Sequence, residues 1–424
     1  MIDIKDIRTN PERFQKAAVD KHVTADINQL LTIDQQIMDA KKQLQDISTD
    51  KNKLGKSIPT LAPEEKQAAL SQLADLKQRE SQFNDTVKDL GPQFDALMLQ
   101  VAQPADEDVP LGKDDTENRE LCKEGQIPEF DFELKDHLQL GLDLGIIDME
   151  RGVKLAGTRN YFLKGDGALL HWAVLRFAMD LMLERGYCPM SVPLLMKDEA
   201  MRGTGYYPGA EEQTYRMEKD GLNLVGTAEV PLTAFHMGEI LKREELPIKL
   251  VGQSSCFRRE AGAAGKDTYG LYRIHQFDKV EQVIICANDA DLSQAFHHEI
   301  LANSEAVLQG LGLPYRVVNV CTGDLGRGQA KKFDIETWMP SRKNYCETHS
   351  ASKFFEFQAR RMNLRYKDPE TKKNRYCHTL NNTVIASPRV LIPVMELYQN
   401  ADGTITIPEV LRSYMGNREV VGKS

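Results

Sequence analysis

The sequence has little that would tie it to a membrane or to an extracellular setting. No stretch approaches the roughly 18 consecutive apolar residues that a membrane-crossing helix needs. The opening segment MIDIKDIRTNPERF lacks the apolar core of a secretory signal. Both absences predict a cytoplasmic protein with no membrane partner. Positive charge is also short: 54 basic residues against 63 acidic ones leave −9 at pH 7, which excludes a basic coat for nucleic acid. The seven cysteines are scattered and none forms a C-x-x-C pair, which argues against a zinc ribbon and against a disulfide framework. A G-x-x-x-x-G-K-[ST] phosphate loop is missing, and no Ser-His-Asp or Cys-His spacing is recognisable. Internal repeats and low-complexity segments are absent too.

What is present suffices for a folded protein. The 424 residues are 41% hydrophobic, enough for a core and for about two to three domains. Asn10-Pro11-Glu12 reads as a helix cap followed by proline at the first helical position, predicting a helix over 10–20. Leu30, Ile33, Ile37, Ala40, Leu44, Ile47, Lys51 and Leu54 recur in steps of three and four. So do Ala69, Leu73, Leu76, Glu80, Phe83, Val87, Leu90, Phe94, Leu97 and Val101. This is a heptad seam with Lys51 and Glu80 as its polar exceptions. The stretch 55–63, GKSIPTLAP, allows the chain to reverse. The expectation is a long antiparallel helical hairpin, a coiled coil with arms about 40–55 Å long. Gly91-Pro92 is expected to kink or interrupt the second helix.

Residues 102–120 are polar, acidic and proline-containing, and read as a linker. Beyond them short apolar runs alternate with turns and helical stretches, as at 283–287, 315–320 and about 168–185. The fold class expected is α+β: an N-terminal helical arm over 1–110, then a larger domain over 111–424 with an antiparallel sheet flanked by helices.

Three patterns in the larger domain carry chemistry. Phe257-Arg258-Arg259-Glu260, a glycine-rich stretch, and Arg273-Ile274-His275-Gln276-Phe277-Asp278-Lys279-Val280-Glu281 read as strand, flexible loop, strand. Arginines on paired strands beside a phenylalanine suit an anionic ligand with a flat base, because the guanidinium fork matches phosphate. A solvated surface hairpin is the bland alternative. Gly226-Thr227-Ala228-Glu229 offers a hydroxyl and a carboxylate to an ammonium group, or else a helix cap. Glu347 and Ser350 offer oxygen ligands to a cation such as Mg²⁺, and Arg389 follows His378–Thr383 at the opening of a helix, where a buried salt bridge is its other reading.

In this order the patterns resemble the seryl-tRNA synthetases of the class II aminoacyl-tRNA synthetases. The resemblance spans essentially the whole chain. It rests on F-R-x-E at Phe257–Glu260, R-x-H-Q-F-x-K-V-E at Arg273–Glu281, D-I-E-x-W at Asp334–Trp338, F-x-x-R-R-M at Phe357–Met362 and I-P-E-V-L-R at Ile407–Arg412. It implies a class II catalytic domain and a homodimer, with Gly186-Tyr187 to Pro193 as the interface motif. It further implies ATP held by Arg258, Arg259, Glu260, Arg273, Phe277, Glu347, Thr348, His349, Ser350 and Arg389. Arg258 would take the α-phosphate and Glu260 the adenine amino group. Phe277 and Arg389 would sandwich the base, Arg273 would help bind the bent triphosphate, and Glu347 with Ser350 would hold Mg²⁺. Arg258 and Arg389 are the residues to which it assigns catalysis. L-Serine would meet Thr227, Ala228, Glu229, Glu281 and Thr383. The implied activity is serine activation by ATP and transfer to tRNA(Ser), with tRNA(Sec) as a second acceptor.

The resemblance gives the hairpin a tRNA-binding role. Between 28 and 100, nine basic residues face eleven acidic ones, yet 41–56 holds five lysines against Asp46 and Asp50. Lys51, Lys53 and Lys56 are the expected phosphate contacts, with a solvated coiled-coil face as the alternative. Two places depart from the common pattern: His349 and Lys353 near Ser350, and a glycine-poor Asn381-Asn382-Thr383 before Arg389. A carrier-protein-loading relative, an inactive paralogue and a structural coiled coil are the competing readings. The hairpin argues against the first, the complete set Arg258, Glu260, Arg273 and Arg389 against the second, and the motif density against the third.

Overall fold

The computed structural model describes residues 1–263 and 265–422; Ala264, the Lys266 side chain, Lys423 and Ser424 lie outside the described residues. The chain divides into two compact units, Ile2–Ala102 and Gln103 onward.

The first unit is helical. Helix α1 is Ile4–Thr9 and α2 is Pro11–Asp20, whose Asn10 side chain accepts from the Arg13 N–H. The long helices are α3, Ile27–Ser57, and α4, Pro63–Gln100. The seam positions Leu30, Ile33, Ile37, Ala40, Ile47, Ala69 and Leu76 are buried. Its two polar exceptions meet: Lys51 Nζ donates to Glu80 Oε2 at 2.6 Å. Of the three lysines expected to contact tRNA, Lys51 is thus already ion-paired within the hairpin, whereas Lys53 and Lys56 are exposed. Gly91-Pro92 does not interrupt α4, which runs through it, and the Gln93 side chain donates to the Asp89 carbonyl at 3.1 Å beside the proline.

The second unit is built on an eight-stranded sheet. In chain order its strands are β1 Arg119–Glu124, β2 Cys188–Met190, β3 Ile248–Phe257, β4 Gln276–Cys286, β5 Tyr315–Asn319, β6 Lys331–Met339, β7 Asn344–Phe355 and β8 His378–Ser387. Their spatial order is β1-β5-β6-β7-β8-β4-β3-β2, antiparallel except for the β2–β3 pair at one edge. Helices α5 (Asp166–Glu184) and α6 (Ala290–Gly310) pack against this sheet. Strand β4 shows why its sequence reads as a continuous apolar run. Val280, Ile284 and Cys286 enter the core with α5 and α6, while Val283 and Ile285 enter a second core with Met362, Leu364 and Tyr366. A strand covered on both faces has no polar alternation. Only at its start do the odd positions, Phe277, Lys279 and Glu281, open into a cleft.

The stretch expected to be a linker is instead docked on this unit. The Gln103 N–H donates to the Arg327 carbonyl and the Asp106 N–H to that of Ala330, both at 2.9 Å, so the contacts divide the chain before the expected position 110. Val109 is buried with Val318, Val320 and Leu325. The cause is electrostatic as well. Lys331 and Lys353 are directly paired across β6 and β7, and both are buried. Two facing buried ammonium groups need counter-ions. Asp108 reaches Lys331, and Asp106 lies 2.6 Å from Lys353. The Val109 N–H donates to the Asp106 carbonyl at 3.2 Å, a turn that carries both carboxylates to the lysine pair. Lys353→Ala, which strands Asp106, is expected to cost about 3–5 kcal/mol. An unchanged urea midpoint of the second unit in that variant would refute the clamp.

Candidate active site

The cleft is assembled at the mouth of the β3–β4 hairpin. Gln276 pairs with Phe257, and just outside that pair the Arg258 N–H donates to the His275 carbonyl at 3.0 Å. Arg258 and Arg273 therefore sit beyond the strand ends, not on the paired strands as the sequence suggested. Arg258 Nε donates to the Gly226 carbonyl at 3.3 Å, and its guanidinium lies 5.2 Å from the Phe277 ring centroid. Glu260 has a left-handed backbone with φ 49° and faces Arg273 at 3.6 Å. Arg159 pins the same loop by donating to the carbonyls of Glu260 at 3.0 Å and Ala263 at 3.3 Å.

The pair Glu347 and Ser350 raises a geometric question. Residues three apart on a regular strand point to opposite faces. Ile335 pairs with His349 but Glu336 with Glu347, so Thr348 is the extra residue of a β-bulge. The bulge restores the phase, and both Glu347 and Ser350 line the cleft. Partial desolvation in the cleft would push the half-exposed Glu347 carboxyl up, yet Arg389, Lys332, Arg258 and Arg273 hold it below the usual carboxylate range. An ionised carboxylate and a hydroxyl make an all-oxygen donor set, which fits a hard divalent cation.

Arg389 is not placed against Phe277. Its guanidinium stacks 4.4 Å from the Tyr272 centroid, with Arg342 at 3.8 Å from the same centroid, and its Nη1 donates to the Glu347 carbonyl at 3.1 Å. The expected sandwich of Phe277 and Arg389 is thus open in this structure. Arg273 Nε and Asn381 Nδ2 are buried around the cleft with no hydrogen-bond partner among the described residues. Buried donors without partners at a cleft wall suit a polar ligand. Burial holds His349 at about 4, so the ring is neutral at pH 7, and its Nδ1 lies 2.8 Å from the Thr348 hydroxyl.

The inner end of the cleft has a different character. Glu281 is ion-paired with Lys279, both buried, and the Thr383 hydroxyl lies 3.4 Å from Lys279 Nζ and 3.5 Å from Glu281. A second bulge, at Val384, keeps Thr383 opposite Glu281 and Ala386 opposite Lys279 on the cleft face. Glu229 is buried beside them. Burial first, and then the Glu281 charge, push its carboxyl up to about 7. A substrate ammonium between these carboxylates would relieve both costs.

Of the residues expected in the site, Arg258, Glu260, Arg273, Phe277, Glu347, Thr348, His349, Ser350, Arg389, Glu229, Glu281 and Thr383 line this one cleft. Three stand apart. Arg259 is half exposed at the rim, 4.0 Å from Glu212. Ala228 is buried in the apolar core with Leu232 and Leu241. Thr227 is buried, and its hydroxyl accepts from the Glu229 N–H at 3.1 Å, so it shapes the turn that delivers Glu229. Lys353 points away, to Asp106 and Gln294. Sequence reasoning missed Tyr206, Tyr272 and Lys279. Lys279 had a signal, since it shares the odd phase of Phe277 and Glu281; the tyrosines had none.

Comparison with known proteins places the whole chain in one family. A family model described as the seryl-tRNA synthetase N-terminal domain matches residues 1–103. One described as the tRNA synthetase class II core domain (G, H, P, S and T) matches 213–398. The serine–tRNA ligase of Deinococcus radiodurans is 43% identical over 423 residues, covering 100% of this chain and 99% of that protein. The crystal structure of seryl-tRNA synthetase from Pyrococcus horikoshii complexed with ATP superposes with a TM-score of 0.94 at 33% identity, covering 100% of both chains. The cytoplasmic serine–tRNA ligase of Naegleria fowleri in complex with AMP gives 0.87 at 30% identity, covering 97% of this chain and 96% of that one. With similarity of this strength running from the helical arm through the whole cleft-bearing domain, the chain belongs to the seryl-tRNA synthetase family, aminoacyl-tRNA ligases of class II.

Proposed function

We propose that the protein activates L-serine with ATP and transfers it to tRNA(Ser). The observation that carries this reading is the division of one cleft: Arg258, Arg273 and Arg389 at its mouth, and Glu229, Glu281, Lys279 and Thr383 at its inner end. A cationic mouth suits the triphosphate, and a polar inner end suits a small amino acid with a hydroxyl.

In the first step a serine carboxylate oxygen attacks the α-phosphorus of ATP. The new O–P bond forms as the bond to the β-phosphate oxygen breaks, and pyrophosphate leaves. In the second step a terminal ribose hydroxyl of the tRNA attacks the acyl carbon. The ester forms and AMP departs. Arg258 stabilises charge on the α-phosphate, Arg273 helps hold the triphosphate, and Glu260 receives the adenine amino group. Phe277 supplies one stacking face, and Arg389 supplies the other by leaving Tyr272. Positioning and electrostatics supply the catalysis, so no side-chain nucleophile is required. Glu347 and Ser350 would hold Mg²⁺, which when bound neutralises phosphate charge. Glu229 and Glu281 receive the serine ammonium and hydroxyl, with Thr383 beside them.

The arm would grip tRNA through Lys53 and Lys56. Changing both to alanine is expected to weaken tRNA binding and to lower the salt slope by about one per lost phosphate contact. Lys51→Ala should act on arm stability instead, because Lys51 is paired with Glu80. An unaltered salt slope in the Lys53/Lys56 double variant would sink this assignment. We also propose a homodimer. Trp172, 60% exposed, and Leu183, 39% exposed, lie three turns apart on one face of α5, and the edge strand β2 lies in the stretch read as the interface motif. The cytoplasm is the expected location, and no described helix is long and apolar enough to cross a membrane. Charging of tRNA(Sec) belongs to the same proposal and rests on the family resemblance.

The deciding experiment is amino-acid-dependent ATP–pyrophosphate exchange followed by charging of bulk tRNA. Exchange with serine and seryl-tRNA formation are expected. Exchange without charging would point to a different acceptor, and silence with all twenty amino acids would overturn the reading.

A further inference from the structure

Glu229 is delivered to the cleft at the start of a five-residue helix, Glu229–Thr233, whose first N–H donates to the Thr227 hydroxyl. Its carboxylate has two protein donors. Tyr206 donates to Oε2 at 3.1 Å, and the Gln358 amide donates to Oε1 at 2.9 Å. Gln358 is completely buried on the short helix Phe357–Met362, outside the cleft wall. The same amide nitrogen also donates to the Thr204 carbonyl at 2.9 Å, and the amide oxygen accepts from the Thr379 hydroxyl at 2.6 Å. This set fixes which way the amide points. Turned over, its oxygen would face a carboxylate and a carbonyl, neither of which can donate when Glu229 is ionised. Thr379, on β8, therefore orients Gln358, and Gln358 orients Glu229.

We propose that Gln358 is a positioning residue for the amino-acid substrate: held by Thr379, its amide aims the Glu229 carboxylate at the substrate ammonium. The idea rests on the serine-site reading above. Each carboxylate oxygen keeps lone pairs beyond the one its protein donor uses, so a cation can still be received. The charged or titratable groups around Glu229 are Glu281 and Lys279 on β4 and the Tyr206 hydroxyl, with Arg258 beyond Tyr206. Burial and Glu281 oppose ionisation of Glu229, whereas Lys279, Gln358 and Tyr206 favour it. Loss of the Gln358 donor removes part of that support.

The test is serine-dependent exchange with Gln358→Leu, Thr379→Val, Thr379→Ser and Glu229→Gln. Gln358→Leu should raise the KM for serine about 10–100-fold, the worth of a hydrogen bond to a charged group, and leave the KM for ATP within a factor of about two. Because a donor favours the ionised form, its loss should also move the acid limb of kcat/KM for serine to higher pH. Thr379→Val should reproduce the serine effect in weaker form, and Thr379→Ser, which keeps the hydroxyl, should restore it. A native serine KM and an unmoved acid limb in Gln358→Leu, with Glu229→Gln impaired, would overturn the proposal and leave the serine site standing. Equal behaviour of Thr379→Val and Thr379→Ser would overturn it too, marking a purely structural contact. A native serine KM in Glu229→Gln would instead remove the serine-site reading beneath it.

Discussion

Arg258→Ala is expected to lower serine-dependent ATP–pyrophosphate exchange on the order of 10²–10³-fold, the usual cost of deleting one preorganised group that stabilises transition-state charge. Arg258 sits at the hairpin mouth with its Nε anchored on the Gly226 carbonyl at 3.3 Å and its guanidinium over Phe277. The anchor uses one donor and leaves the rest of the fork for phosphate. A lysine there keeps the charge but loses the planar geometry, so Arg258→Lys should recover only part of the rate. Arg259 is the internal control. It is half exposed near Glu212, so Arg259→Ala should cost less than about tenfold. The measurement is exchange kinetics with serine and ATP varied in turn, alongside thermal unfolding. A loss under tenfold for Arg258→Ala, or equal damage from both variants, would contradict the assignment.

The second large effect is at Glu281. Glu281→Leu should reduce kcat/KM for serine on the order of 10³-fold and collapse the preference for serine over alanine. A site with buried groups for a hydroxyl rejects the analogue without it, because those groups are then left unpaired. Glu281 also neutralises Lys279, which is buried with it. Removing the carboxylate strands an ammonium in the interior, at a cost of about 3–5 kcal/mol in stability. Adding Lys279→Met to Glu281→Leu replaces both charges with apolar groups and should recover most of the stability but none of the serine preference. The two readouts separate the roles: denaturation for the ion pair, and competition between serine and alanine for recognition. If the double variant regained serine preference, Glu281 would be structural only.

Much of the site was legible because strand alternation is local. Phe277 and Glu281 share a phase, and so does Lys279, which was overlooked in its own motif. The N-cap at Asn10 and the hairpin seam were legible for the same reason, since caps and heptads depend on residues within a turn or two. The bulges at Thr348 and Val384 were not. Each is defined by which residue lies across the neighbouring strand, and a single strand carries no record of that. The docking of 103–109 was hidden likewise: acidic residues with prolines look like a linker until two buried lysines are placed beside them.

By itself the sequence determined the helical arm, the α+β class of the larger unit, and the residue types that can bind a nucleotide and a small amino acid. Tertiary structure decided which of them meet. The order β7-β8-β4-β3 brings Glu347, Thr383, Glu281 and Arg258 to one cleft, although they are separated in the chain between positions 258 and 383. It also turned Lys51 and Lys353 inward as ion-pair partners and tied Glu229 to Gln358. The physical reason is range. Helical periodicity, caps and strand alternation act over a few residues, whereas strand pairing and the burial of charge are settled between segments far apart in the chain.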